Sequence, residues 1–295
     1  MFFTIFALVM LNLSIDDMRL FALHVGFCQH DGDWNWKNVR SPFARIYYVT
    51  EGSAQVVMPD GVKTLRQGYL YFIPAYTMHS DVCTSIFSHY YIHVYEDPNS
   101  RFSIFEELSL PFEVEAQSVD VELMQRMIAM NPQMRVPQSD PESYGDHQSL
   151  LSNLQLNVTR PLGEKMESRG TLYILMSRFM QYAQQKNNIQ DDRIRKSLSF
   201  IRKHLGDDID VATMADMAFM SKDHFIRVFR QQTGFTPIAY IIRKKMECAE
   251  LQLITTDVSI KQISSRLGYD DQSYFIKLFK KHTNLTPQQY REAHR

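Results

Sequence analysis

The chain has 295 residues, 44% hydrophobic and 22% charged, which is the balance of a soluble globular protein with room for two domains of ordinary size and excludes a disordered chain. The net charge of −1 hides an asymmetry: Asp191 to Arg295 carries 18 Lys and Arg against 13 Asp and Glu, a net of +5, while the rest carries 14 against 20, a net of −6. Three cysteines, Cys28, Cys83 and Cys248, share no paired or metal-like spacing, which excludes a disulfide framework and suits a reducing, cytoplasmic compartment.

Met1 to Leu13 are apolar but lack a basic n-region and are too short to cross a bilayer. A buried N-terminal strand, or a translation start at Met10 or Met18, is expected rather than export, and no membrane association is expected. From about Phe21 to Glu96 the chain is strand-like. Arg45–Val49, Ala54–Met58 and Tyr69–Ile73 are short β-rich runs separated by Glu51-Gly52, Pro59-Asp60-Gly61 and Gln67-Gly68. Such spacing predicts a small sandwich or barrel.

The order of these runs resembles a cupin. Gly68, Pro74 and His79 match the second cupin motif, and Tyr48-Val49-Thr50-Glu51-Gly52 matches the end of the first. Metal-binding cupins use two close histidines and a glutamate from the first motif and one histidine from the second. Here the glutamate position falls on Arg45, and no histidine lies between His30 and His79. A fixed cation repels a divalent metal and one histidine holds it weakly, so no metal, no cofactor and no catalytic residue are expected. An inward arginine instead suits a carboxylate, a phosphate or a sugar hydroxyl. Around Arg45 the candidate effector-binding residues are Tyr47, Tyr71, His79, His93, Trp34 and Trp36, with His89 nearby on the face shared by His89, Tyr91 and His93. Aromatics on strand faces also serve as core, which is the competing reading for Trp34 and Trp36.

Two amphipathic helices are predicted next, Val121 to Met130 and Thr171 to Tyr182, on either side of a polar stretch from Asn131 to Ser149. Lys186 to Asp192 is polar and reads as a linker.

The last hundred or so residues contain one segment twice. Phe225-Ile226-Arg227-Val228-Phe229, Thr233, Thr236-Pro237 and Tyr240 recur 50 residues later as Phe275-Ile276-Lys277-Leu278-Phe279, Thr283, Thr286-Pro287 and Tyr290. Upstream the offset is 49, so the second copy has one extra residue near Asp270-Asp271. Each copy reads as helix, tight turn, helix. Ser221 is an N-cap ahead of Phe225, Val228 and Phe229, and Thr236 and Thr286 cap the helices that begin at a proline. Opposite the phenylalanines lie Asp223, Arg227 and Arg230 in copy one and Ser273, Lys277 and Lys280 in copy two. These residue types contact base edges and phosphates from a major groove, and the basic balance of this half is the footprint of a nucleic-acid binder. For a single helix a solvated basic face would be the better explanation; repetition favours function.

Ser273 to Lys281, with Thr286-Pro287 and Tyr290-Arg291, closely resembles the C-terminal signature of AraC/XylS-type transcription regulators, over about Arg193 to Arg291. The resemblance implies an α+β, two-domain chain: a cupin-like effector-binding barrel at 15–118 of the arabinose-regulator branch, a helical dimerising and connecting segment at 119–185, a linker at 186–192, and an all-α domain at 193–295. That domain would have two helix-turn-helix units joined by a long helix, about Pro237 to Ile254. Asn284 stands where a glycine is usual, and asparagine also tolerates the left-handed conformation. The implied DNA-binding residues are Ser221, Lys222, Asp223, Ile226, Arg227, Arg230, Gln272, Ser273, Ile276, Lys277 and Lys280, of which Ile226 and Ile276 rest mainly on the resemblance. The implied function is ligand-responsive transcription regulation, not catalysis, by a homodimer with promoter DNA, a sugar or organic-acid effector and RNA polymerase as partners. The alternatives are a cupin enzyme fused to a DNA-binding domain, and an effector-independent regulator that uses the barrel for dimerisation.

Overall fold

A computed structural model describes residues 18–97, 103–136, 147–185 and 191–293, with Ile15, Pro141 and Tyr144 besides. The apolar run Met1–Leu13, the start at Met10 and residues 186–190 of the expected linker lie outside the described residues.

An antiparallel sheet precedes a set of helices. In chain order the strands are β1 (Leu20–Asp31), β2 (Trp36–Val39), β3 (Ala44–Met58), β4 (Gly61–Arg66), β5 (Tyr69–Ile73), β6 (His79–Val82) and β7 (Ile86–Glu96). After helix α1 (Ile104–Glu107) come β8 (Leu108–Ser109) and β9 (Glu113–Glu115). Strand order is β1-β7-β3-β5-β9, with β4 and β6 also on β3, and β2 on β6.

β3 is the hub. Its first half pairs with β5 and β7, and its second half with β4 and β6. The break expected at Glu51-Gly52 is instead a bend within one strand of 15 residues. Register against β7 slips between Val49 and Glu51, Gly52 takes φ +69, and a side chain there would collide with the Ile86 carbonyl. The turns at Pro59-Asp60-Gly61 and Gln67-Gly68 are present; the first folds β4 back onto β3, and the second leads from β4 into β5, which also pairs with β3.

The period of two sorts the sheet's residues. Ile46, Phe72 and Ile92 pack with α2 (Ser118–Met130) and α4 (Leu162–Met180) through Met124, Met127, Leu175 and Phe179. Tyr47, Tyr71 and Tyr91 face the other way, onto Trp34, Val56 and Phe87. Between α2 and α4 lies α3 (His147–Thr159), which has no counterpart among the expected elements. Its leucines are interrupted by Asn153 and Asn157, which weaken the apolar pattern. Both asparagines donate to β1, at Leu23 O (2.7 Å) and Ala22 O (2.8 Å), where a bulge disturbs the ladder to β7. A two-residue strand, β10 (Gln184–Gln185), returns to β8.

The C-terminal half is helical: α5 (Asp192–Lys203), α6 (Val211–Met217), α7 (Lys222–Thr233), α8 (Pro237–Thr255), α9 (Ile260–Arg266), α10 (Gln272–Thr283) and α11 (Pro287–Ala293). The first residue of α5, Asp192, falls within the expected linker. Phe225 and Phe229 anchor one core and Phe275 and Phe279 a second, each fully buried and contributing roughly 1.5–3 kcal/mol. α8 spans both, giving Tyr240 and Ile241 to the first core and Met246, Ala249 and Leu253 to the second. No helix among the described residues is long and apolar enough to cross a membrane.

Candidate nucleic-acid interface and buried polar cluster

The two repeats share one burial pattern, residue for residue, from Phe225 to Tyr240 and from Phe275 to Tyr290. Local chemistry sets it. Asp210 caps α6 and Ser259 caps α9; Ser221 accepts from the His224 amide at 3.4 Å to start α7, and Asp271 accepts from the Ser273 amide at 2.7 Å to start α10. Gly234 (φ +78) and Asn284 (φ +65) end the two helices in the left-handed region, as the turn requires. Phe229 meets Tyr240 edge-on at 5.7 Å, and Phe279 meets Tyr290 edge-on at 5.4 Å.

With the phenylalanines inward, the opposite faces are open. Ser221, Lys222, Asp223, Arg227, Arg230, Ser273, Lys277 and Lys280 are exposed, and Ile226, Gln272 and Ile276 are half-buried at the edge. Asp223, Ile226, Arg227 and Arg230 line one open concavity of about 550 Å³ with Gln231 and Thr236. Arg227 lies 3.0 Å from His224 Nδ1, one turn back, so a neutral His224 accepts from the guanidinium and steers it. Sequence reasoning passed over His224; its i, i+3 spacing to Arg227 is the signal. Each repeat thus presents a short polar and basic helix face of a size suited to a major groove.

The effector candidates fall inside the sheet. Arg45, Tyr47, Tyr71, His79, His93 and Trp34 are all buried, and Trp36 is half-buried. Arg45, only 1% exposed, donates to Ser41 Oγ at 2.7 Å and lies 5.2 Å from the Phe43 ring and 6.0 Å from the Tyr144 ring. The register places His93 beside Arg45 and Tyr71 beside Tyr47. Two candidates are committed elsewhere. The Tyr71 hydroxyl accepts from the Arg66 amide at 2.8 Å, and Trp34 packs against Phe87 and His89 with ring centroids 5.1 and 5.5 Å apart.

Sequence reasoning missed Asp81, two residues beyond His79 on β6 and therefore on the same face. Its Oδ1 lies 3.9 Å from His79 Nε2, and neither atom has a hydrogen-bond partner among the described residues. Burial pushes the Asp81 carboxyl up to about 7 against the opposing pull of Arg45, and burial with the Arg45 charge pulls His79 down to about 4. Burial likewise takes His89 down to about 3, and His93, 3.1 Å from His24, falls well below the ordinary histidine range. At neutral pH these imidazoles are uncharged hydrogen-bonding groups around one arginine and one carboxyl. Tyr144 closes over His93 at 4.9 Å between ring centroids. Among the described residues no three histidine, cysteine or carboxylate side chains converge in a way that would hold a metal ion.

A cleft of about 470 Å³ separates the sheet from the helical half, with Tyr76 and Tyr95 on one wall and Tyr240 and Lys244 on the other. Lys244 pairs with Glu247 one turn away at 2.6 Å, and Arg202 of α5 reaches Glu107 of α1 at 3.7 Å.

Comparison with known proteins concentrates on the repeats. Residues 214–293 match the family described as "Helix-turn-helix domain". The arabinose operon regulatory protein of Escherichia coli (strain K12) is 33% identical over 102 residues, covering 34% of this chain and 35% of that protein. The probable transcriptional regulator LumQ of Photobacterium leiognathi is 25% identical over 179 residues, 56% of this chain and 71% of that protein. The C-terminal domain of AraT, a response regulator from Geobacillus stearothermophilus, is 32% identical over 34% of this chain and 84% of that one, with a TM-score of 0.33. The first curated relatives are matched over about 35% of their length. Residues 214–293 are a helix-turn-helix domain of the AraC type.

Proposed function

We propose that this protein is a sequence-specific, DNA-binding transcription regulator of the AraC type whose N-terminal half senses a small molecule. The observation that carries the reading is the repeated exposed face, Arg227 and Arg230 on α7 and Lys277 and Lys280 on α10, on two copies of one folded unit. Two such faces joined by α8 suit successive major grooves of one duplex. Arg227, Lys277, Asp223, Gln272 and Ser273 would read base edges, and Lys222, Arg230 and Lys280 would hold phosphates. In this reading 193–295 is the DNA-binding domain, 119–185 connects and dimerises, and 15–118 is a cupin-like barrel. RNA polymerase would be the partner that turns binding into regulation.

The effector would bind at Arg45, His79 and Asp81, because unpartnered buried polar atoms call for a polar ligand or water. The Arg45 guanidinium beside the polar groups of His79 and Asp81 would suit a sugar hydroxyl and an organic acid alike. One observation supports a second reading, that of an effector-independent regulator: Tyr47, Tyr144 and Trp34 already fill much of this interior. A thermal-shift screen of sugars and organic acids on the full chain separates the two, since a ligand that binds only the folded state raises Tm. A random-sequence duplex pool incubated with the full chain tests the regulator itself; failure to enrich any sequence would remove the sequence-specific reading.

A further inference from the structure

Besides apolar packing of Leu23 and Phe43 on the core of the second repeat, a buried carboxylate links the sheet to it. Glu250, on α8, is 0% exposed. Arg40, just after β2, donates to both of its oxygens, Nη1 to Oε2 at 2.7 Å and Nη2 to Oε1 at 3.3 Å. The same carboxylate accepts from the Tyr290 hydroxyl of α11 at 3.1 Å and lies 3.1 Å from His282 Nε2, in the last turn of α10. Burial by itself would raise the Glu250 carboxyl, but His282 and Arg40 outweigh it and hold the group below the usual range. A carboxylate this deep is tolerable only while Arg40 and its other polar partners stay in place. Those partners come from opposite ends of the chain, Arg40 from beside the sheet and His282 from the helix that carries Lys277.

The sheet side of the contact is itself held. The Arg40 guanidinium lies 4.9 Å from the Tyr76 ring, whose hydroxyl donates to the Glu247 carbonyl at 3.0 Å. The Tyr76 amide donates to Ser41 O at 2.7 Å, with Tyr76 at φ +59. Arg40 is therefore presented to α8 by a fixed loop, not by a free side chain on a surface. The first repeat differs, since Gln232 stands at the position of His282 and brings no imidazole.

We propose that Arg40 and Glu250 are positioning residues for α10, so that the N-terminal half governs base discrimination by the second repeat and leaves the first largely alone. This rests on the reading of α7 and α10 as DNA-contacting helices. Shifting Arg40 changes what Glu250 must demand of His282 and Tyr290, and so changes where α10 sits. Neither Arg40 nor Glu250 lies on an exposed basic face, so their effect on DNA is indirect.

The test uses the full chain and the duplex that the native protein enriches from a random-sequence pool. Its two halves are assigned with Arg227→Ala and Lys277→Ala, each of which blunts discrimination in the half it reads. Arg40→Ala is expected to lower discrimination against base changes in the α10 half by about fivefold or more, and to leave the α7 half within about twofold. Arg40→Lys, which keeps the charge but not the two-pronged donor, is expected to fall between. A ratio of affinities is independent of the folded fraction, so mere destabilisation by Arg40→Ala would leave both ratios unchanged. Unchanged ratios, or equal losses in both halves, would overturn the proposal. If the native chain enriches no duplex, the DNA-binding reading itself fails and takes this inference with it.

Discussion

Phe219 and Gly268 hold the same backbone position in the two repeats, at φ +54 and φ +72, in the turn before each second helix. The sequence offset between them is the 49 residues that precede the one-residue slip. Glycine adopts this conformation freely, whereas an L-residue does so at a cost of roughly 1–2 kcal/mol. Phe219 is 92% exposed and gains almost no packing in return.

Phe219→Gly is therefore expected to stabilise the chain, by up to about 1 kcal/mol after the larger unfolded-state entropy of glycine is subtracted. The mirror change should hurt. A Cβ at position 268 would lie 2.6 Å from the Gly206 carbonyl oxygen and 3.2 Å from that of Asp207, so Gly268→Ala should cost roughly 1–3 kcal/mol. Urea midpoints of the two variants check both signs, and a destabilised Phe219→Gly would show that the ring makes a contact in solution.

Arg227→Ala is expected to cost roughly 1–3 kcal/mol on the preferred duplex and to relax its sequence preference, as loss of a good base contact does. Lys280→Ala should weaken matched and scrambled duplexes alike. Titrations on both duplexes separate the two, and equal losses for Arg227→Ala would make it a phosphate contact.

Binding should weaken steeply with salt, because each lysine or arginine on a phosphate releases about one condensed counterion. With Lys222, Arg230 and Lys280 on phosphates, a log–log slope of about −3 is expected, and a steeper one if Arg227 and Lys277 also meet phosphate. A slope near zero would rule out the basic faces as the contact surface.

Asp81 gives a pH signature. Its folded-state value is raised from 3.8 to about 7, so the folded chain holds this proton more tightly than the unfolded chain. The group's contribution is therefore most favourable at low pH, and is lost as pH rises from about 4 to about 7. His79, lowered to about 4, acts in the opposite sense: stability falls as pH drops below its unfolded value of 6.5. Comparing native protein with Asp81→Asn isolates the carboxyl. Stability of the variant relative to native should improve between pH 4 and pH 7, by an amount on the order of a few kcal/mol at most. A pH-independent difference would mean that Asp81 titrates normally.

Arg45→Ala should lower Tm, since it removes the buried hydrogen bond to Ser41 Oγ, worth about 1–3 kcal/mol, and the positive charge that eases the burial of Asp81. Adding Asp81→Asn should restore part of the loss, because the carboxylate left without its cation is then gone. Additive losses in the double variant would show that the two side chains do not act on each other.

Helix starts, helix ends and the inward phenylalanines of the repeats were legible because each depends on residues within one or two turns. Ser221 and Thr236 cap locally, Gly234 and Asn284 turn locally, and the 3.6-residue period alone turns Arg227 and Lys277 away from the core. The strands were legible as apolar runs, but not their continuity. Glu51-Gly52 reads as a turn, and only the approach of the Ile86 backbone makes it a bend within β3. α3 was hidden because Asn153 and Asn157 interrupt its apolar face to satisfy β1 carbonyls 130 and 135 positions earlier.

What the sequence determined by itself is the helical repeat and the two exposed basic faces, through short-range periodicity and capping. Tertiary structure alone decided what lies beside what: Asp81 near Arg45, Tyr144 over His93, and Arg40 on Glu250 across 210 residues. Those pairings depend on strand register and on how α8 meets the sheet. A buried charge must find its partner in space, and nothing local in the chain records where that partner will be.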